Sequence, residues 1–359
     1  MRWKNPPAVM PGSPRDPDGF SNRVRQHLDG LRVHGFSEET IETRGRYLTY
    51  FAVWCADRSL GRPNEIVKPI LERYQRWLYY YRSEDGRPLS FQSQHHRLSA
   101  LKVFFRWLAK ENYILSNPAS ELELPKVGKR LPKSVLTPSE IERVLSVADV
   151  KTPLGIRDRA MMETFYSSGI RRGELLRLKL YDLDQERGTI AIRQGKGNKD
   201  RVVPVGDRAL AWLDKYTGEV RPTLVCEPDE GTVFLTARGA EFLRENLTSL
   251  IAGYVERSGI GKKGSCHLFR HAMATAMLEN GADIRFIQAL LGHSRIETTQ
   301  IYTEVSIKKL KEIHSATHPA RMKKKRTAAA SAAAPDIEDL LSTLTLEEQE
   351  EDIDQPKSN

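Results

Sequence analysis

The sequence predicts a mainly α protein of two domains, the second containing a small antiparallel sheet. Apolar residues recur at helical spacing through four successive segments between Phe20 and Ile114. A basic, proline-rich stretch then breaks the pattern. Beyond it the helical spacing returns and is interrupted by two short β-branched runs with a glycine-rich turn between them. With 359 residues the chain exceeds what a single hydrophobic core usually holds, which agrees with two domains.

Residues 1–19 carry basic side chains and prolines but no apolar core of a secretory signal, and they are expected to be loose. The first domain, 20–116, reads as four amphipathic helices: SNRVRQHLDGLRVHG, SEETIETRGRYLTYFAVWCADR with Ser37 as its cap, NEIVKPILERYQRWLYYYR, and SFQSQHHRLSALKVFFRWLAKENYI. Arg44, Arg46, Arg73, Arg76, Arg97, Lys102 and Arg106 lie among histidines and tyrosines on these helices. A surface for a phosphate backbone has this composition, and so does an ordinary solvated helix face.

Residues 117–136 form the linker. Pro118, Pro125 and Pro132 lie among Lys126, Lys129, Arg130 and Lys133, and proline, with its effect on the preceding residue, forces extended backbone. A basic linker between two basic domains would allow them to close on opposite faces of a duplex. Thr137, Pro138 and Glu140 then open a new helix through a capping box.

The second domain is read as 137–318. A helix through Phe165 ends at Ser168 and Gly169, and another begins near Arg172. Arg171 and Arg172 therefore lie at a helix N-terminus, where the dipole disfavours a cation unless an anion is near. That anion is either a bound phosphate or simply Glu174. TIAIRQ (189–194) and DRVVPV (200–205) make a hairpin whose turn, GKGNK, lifts Lys196 toward a groove or leaves it in solvent. In HLFRHAMATAMLENG (267–281), His267 and Arg270 share a helix face at i, i+3. His267 and His271 have zinc-helix spacing, but Arg270 stands between them, no glutamate base follows the first and no third ligand is evident, so no metal site is expected. In LLGHSRIETTQIY (290–302), Gly292 ends an apolar helix, His293 follows, and Tyr302 stands nine residues further on, where the apolar pattern no longer calls for it.

The net charge is +9, unevenly spread. From Thr327 onward there are nine acidic residues and one basic, a net of −8, so the preceding chain carries +17. Such a body favours a polyanionic partner, nucleic acid before membrane, since no apolar run is long enough to span a bilayer. The tail, 319–359, passes from RMKKKR through an alanine-rich spacer to an acidic stretch and is expected to be solvated and disordered. Cys55, Cys226 and Cys266 are isolated and read as reduced, buried thiols. A cytoplasmic location is the expectation from these features.

Taken together, Arg171, Lys196, His267, Arg270, His293 and Tyr302, in SSGIRRGELLRL, QGKGNKDRVVPVG, HLFRHAMATAML and LLGHSRIETTQIYTEV, resemble the tyrosine recombinase (phage integrase) family, and within it the Xer-type site-specific recombinases. Weaker similarity extends from Phe20 to His318. The resemblance implies an N-terminal SAM-like DNA-binding bundle and a C-terminal catalytic domain that cuts and rejoins double-stranded DNA through a 3′-phosphotyrosine, without cofactor, ATP or metal. It implies Tyr302 as nucleophile, Arg171 and Arg270 against the phosphate, His293 as a further donor, Lys196 as acid for the leaving 5′ oxygen, and His267 assisting the tyrosine proton with Glu174 orienting from behind. Arg172 adds a second cation beside Arg171, with which GIRRGE aligns best.

The family further implies a homotetramer on two sites, with or without a partner recombinase or accessory protein, and exchange of a C-terminal helix within 304–315. The segment before Phe20 is too short for the arm-site domain of many phage integrases, so arm-site recognition is not expected. A type IB topoisomerase-like enzyme that nicks and reseals one strand, or a DNA-binding factor without strand exchange, are the alternatives.

Overall fold

The structure is a computed structural model that describes residues 10–83, 86–127, 135–195, 199–292, 313–319 and 344–345. The chain divides into two compact units, Met1–Lys129 together with Glu350–Asn359, and Arg130–Gln349.

The first unit is built on α1 (Phe20–Val33), α2 (Glu38–Ala56), α3 (Lys68–Tyr80) and α4 (Phe91–Lys110). Ser37 and Ser90 accept the N–H of Thr40 and Ser93 and so fix where α2 and α4 start. The third helix starts later than its apolar spacing suggests. Pro63–Glu65 form a 3₁₀ turn, and α3 begins only at Lys68, with Pro69 in its first turn where a missing N–H costs nothing. Phe51, Trp54, Tyr74, Phe104 and Phe105 are buried at the centre, where Phe51 meets Tyr74 edge to face at 4.9 Å between centroids and stacks on Trp54 at 6.1 Å.

The start of the linker packs on this bundle. Ala119 and Leu122 are buried in its core, and the Lys102 ammonium donates to the carbonyls of Ser120 (3.2 Å) and Leu122 (2.8 Å). Lys102 thus secures the linker. Arg73, Arg76 and Arg106 are exposed, while the Arg97 guanidinium covers the Tyr50 ring at 4.2 Å.

The second unit contains α5 (Pro138–Ser146), α6 (Pro153–Ser168), α7 (Arg172–Leu176), α8 (Asp207–Lys215), α9 (Arg221–Leu224), α10 (Arg244–Arg257), α11 (Cys266–Glu279) and α12 (Ile284–Leu291). Thr137 and Glu140 form the expected reciprocal cap, the Thr137 N–H donating to Glu140 at 2.8 Å. Helix α6 is buried on every side from Gly155 to Ser168 apart from Arg159. Its charges are therefore paired: Asp158 with Arg157 at 2.7 Å, and Glu163 with Arg159 and Arg208 at 2.8 and 2.9 Å. Gly155 is required where α6 starts, because a Cβ there would lie 1.9 Å from the Asp149 carbonyl oxygen.

A three-stranded antiparallel sheet, in the order β1 (Leu183–Asp184), β2 (Thr189–Gly195), β3 (Lys199–Pro204), covers part of this core. Ile190 faces Val203 and Ile192 faces Arg201 across the β2–β3 pair. Opposed residues project to the same side of a sheet, so Arg201 shares the buried face with Ile192. Strand β1 was not expected from sequence, since two residues are too short to show alternation.

The C-terminal segment 313–319 docks on α6 of the same unit. His314 and His318 are buried and stacked, 4.7 Å between centroids. Their Nε2 atoms bond the carbonyls of Ser167 (2.6 Å) and Tyr166 (2.7 Å). Of the acidic tail, Leu344 and Thr345 are described and buried, Leu344 within this unit's core. At these two positions the chain is packed rather than solvated. Among the described residues no helix is long and apolar enough to cross a membrane.

Candidate active site

The site forms where the ends of α6 and α12 and the start of α7 meet side chains from β3 and α11. Helix α6 stops at Gly169, whose φ of 62° is a left-handed value that glycine adopts without strain. Two residues later Arg171 caps α7. An arginine side chain accepts no hydrogen bond, so the cap is made from the other direction: the Arg171 backbone N–H donates to Glu174 Oε2 at 2.8 Å. Glu174 is thus an anion that the helix start demanded.

Glu174 is buried and accepts from two arginine side chains. Arg171 Nη1 donates to Oε1 at 3.1 Å. Arg201, from β3, forks onto both oxygens, Nη1 to Oε1 and Nη2 to Oε2, each at 2.7 Å. Burial works against ionisation of this carboxyl. The hydrogen bonds and charge of Arg201, joined by the charges of Arg171 and Arg270, outweigh it and hold the group at about 2, below its usual 4.5. Glu174 therefore stays an anion and serves as an anchor for guanidiniums. Through these bonds Glu174 orients Arg171 and Arg201.

Arg270 arrives from α11, a helix buried along most of its length. Its Nη1 donates to the Gly169 carbonyl and its Nη2 to that of Leu291 at 2.9 Å. Arg171 Nη2 reaches the next carbonyl, Gly292, at 3.3 Å. The two arginines thus converge on consecutive peptides at the end of α12, directly before His293. His267 lies one turn ahead of Arg270 on α11 and is 7% exposed. Arg172 turns elsewhere and donates to Thr248 Oγ1 on α10 at 2.8 Å, so Arg171 is the one at the convergence point. Lys196, His293 and Tyr302 lie outside the described residues.

Arg201 was missed in the sequence, although its signal was there. Arg201, Val203 and Val205 alternate along the strand, so the arginine holds a core-facing position and needs a buried anion. Cys226 differs from the buried thiol expected; it is exposed, unlike Cys55 and Cys266, on the loop after α9. Among the described residues there is no group of three potential metal ligands.

Comparison with known proteins gives this arrangement a family. Residues 134–309 match the phage integrase family, and residues 24–115 match the phage integrase N-terminal SAM-like domain. Tyrosine recombinase XerC 2 of Ralstonia nicotianae is 51% identical over 309 residues, spanning 86% of this chain and 89% of that protein. Tyrosine recombinase XerD of the same organism is 35% identical over 305 residues, 84% of this chain and 96% of the relative. A crystal structure of XerH site-specific recombinase bound to difH substrate, a pre-cleavage complex, shares the fold with a TM-score of 0.58 at 22% identity, covering 78% of this chain and 81% of that one. The chain belongs to the phage integrase family. Within it, the protein is a Xer-type tyrosine recombinase.

Proposed function

We propose that this protein is a site-specific DNA recombinase that cleaves one strand at a time with Tyr302, holds it as a 3′-phosphotyrosyl ester, and passes it to a second duplex. The observation that carries this reading is the convergence of Arg171 and Arg270 on the carbonyls of Gly292 and Leu291. Attack on a phosphodiester builds negative charge on its non-bridging oxygens, and paired guanidiniums offset that charge with donors already in place. Glu174 bonds Arg171 and Arg201 and lies in the field of Arg270. Among these described groups one negative charge meets three positive ones, which leaves the site receptive to a phosphate.

The remaining steps belong to Lys196, His267, His293 and Tyr302. A phenol ordinarily loses its proton near pH 10, so it needs a proton acceptor in His267 and a cationic surrounding. His293 donates to the transition state, and Lys196 protonates the 5′ oxygen as it leaves. The ester keeps the energy of the bond it replaced, so resealing requires neither ATP nor metal.

The partner is double-stranded DNA, and the basic body before Thr327 provides the counter-charge for its backbone. The assembly is a homotetramer on two sites, or a mixed one with a second recombinase, in the cytoplasm. The discriminating test maps the DNA that the protein protects from nuclease and places two copies of that site on one supercoiled plasmid. Recombinant circles are expected; relaxation of a single-site plasmid without exchange would identify a topoisomerase-like enzyme instead.

A further inference from the structure

The geometry points to Arg201 as a positioning residue that locks the phosphate-binding arginines, strand β3 and the end of α12 into one working arrangement, an inference that rests on the function proposed above. Arg201 ties together three segments distant in sequence. It leaves β3 only five residues after Lys196, on the buried face opposite Ile192. Its two Nη groups fix both oxygens of Glu174 at 2.7 Å, and Glu174 in turn holds both the backbone and the side chain of Arg171. Its Nε donates to the Leu290 carbonyl at 3.3 Å, so the same guanidinium also touches the end of α12 that leads to His293.

Gly292 makes this arrangement possible. A Cβ there would lie 3.1 Å from Arg201 Cδ and Nε and 3.2 Å from Cζ, tighter than ordinary contact, so the Arg201 side chain would have to give by a few tenths of an ångström. The glycine's φ of 67° serves the helix end; its missing side chain serves Arg201. Lysine cannot substitute, because a point charge on a flexible stem cannot hold two carboxylate oxygens and a carbonyl in fixed directions. Arg201 acts through Glu174 rather than on the phosphate, since its three directional bonds go to protein acceptors.

The consequence is kinetic. Displacing catalytic groups by about 1 Å from a site remote from the chemistry can cost about 10²-fold in rate. Removal of Arg201 should therefore lower the single-turnover cleavage rate by about that factor while DNA affinity changes by less than about threefold.

The test uses the full-length protein on a nicked site that traps the covalent product, with cleavage rate and DNA affinity measured for wild type, Arg201→Ala, Arg201→Lys, Glu174→Gln and the Arg201→Ala/Glu174→Gln double variant. Arg201→Lys keeps the charge and serves as the folded comparison if Arg201→Ala does not fold. The proposal expects Arg201→Lys to remain at least tenfold slow with near-normal affinity, and the double variant to be no slower than the worse single one. Rescue by lysine, losses that multiply in the double variant, or a rate loss matched by an equal affinity loss would overturn it. Tyr302→Phe is carried in parallel. Covalent product from that variant would defeat the assignment of the nucleophile, while the Arg201 comparison would still be decided by its own rates.

Discussion

Arg171 and Arg270, ninety-nine residues apart in sequence, donate to adjacent carbonyl oxygens, Gly292 at 3.3 Å and Leu291 at 2.9 Å. The end of α12 therefore holds both guanidiniums in place before any DNA arrives. Donors fixed in advance cost little reorganisation when charge develops on the phosphate, and that is the condition under which electrostatic catalysis is strong.

Glu174 should contribute to stability without titrating in the working range. Its carboxyl is held at about 2 in the fold against 4.5 ordinarily, so its contribution is fully present above about pH 4.5 and is lost as pH falls through about 2. The melting difference between wild type and Glu174→Gln should be constant from pH 9 to pH 5 and shrink only in stronger acid. A difference that collapses near neutrality would place the acid elsewhere.

The sequence revealed much of this site and hid specific parts of it. Helix starts were legible where a cap announced them, at Ser37 and Thr137, and Arg171, Glu174 and Arg270 were legible as chemistry. Arg201 carried a readable strand alternation, but its partner was not readable, because Glu174 lies 27 residues away and only the fold brings them together. Leu344 could not be singled out: nothing local distinguishes a leucine that will be buried from its neighbours in an acidic run. Ala119 and Leu122 were likewise hidden in a segment whose prolines spoke only for extended backbone.

Gly292→Ala should impair catalysis more than binding. It forces a side chain into a left-handed conformation, at about 1–2 kcal/mol, and presses a methyl group against Arg201 at 3.1–3.2 Å. Cleavage should fall at least tenfold while filter binding to DNA changes little. Wild-type cleavage by this variant would show that Arg201 has room to move.

The His314–His318 pair should make the docked C-terminal segment sensitive to mild acid. Burial lowers both rings below the usual 6.5; against it the Ser167 carbonyl and Asp207 act on His314, while His314 and Arg208 lower His318 further against its Tyr166 bond. Neutral rings are therefore favoured, and their contribution is complete above about pH 6.5 and lost as pH falls toward the folded values. Hydrogen exchange in residues 313–319 should accelerate between pH 7 and pH 5 by more than the intrinsic chemistry, and His318→Gln should blunt the effect. Unchanged protection over that range would contradict the docking described.

Lys196 can be assigned by leaving-group chemistry. As general acid it should be worth about 10²–10⁴-fold on normal DNA, but little on a substrate whose bridging 5′ oxygen is sulfur, because a thiolate leaves without a proton. Lys196→Ala is expected to recover on the sulfur substrate, whereas Arg171→Ala and Arg270→Ala stay slow on both. Equal defects of Lys196→Ala on the two substrates would make the lysine a phosphate contact and His267 the next candidate for the acid.

The central claim is that Tyr302 becomes covalently joined to DNA, and the most direct measurement is peptide mapping of the adduct trapped on a nicked site. The account predicts a 3′-phosphotyrosyl link at Tyr302 in the wild type, and no adduct from Tyr302→Phe despite retained DNA affinity. A link to another residue, a link through the 5′ phosphate, or an adduct from the phenylalanine variant would contradict it.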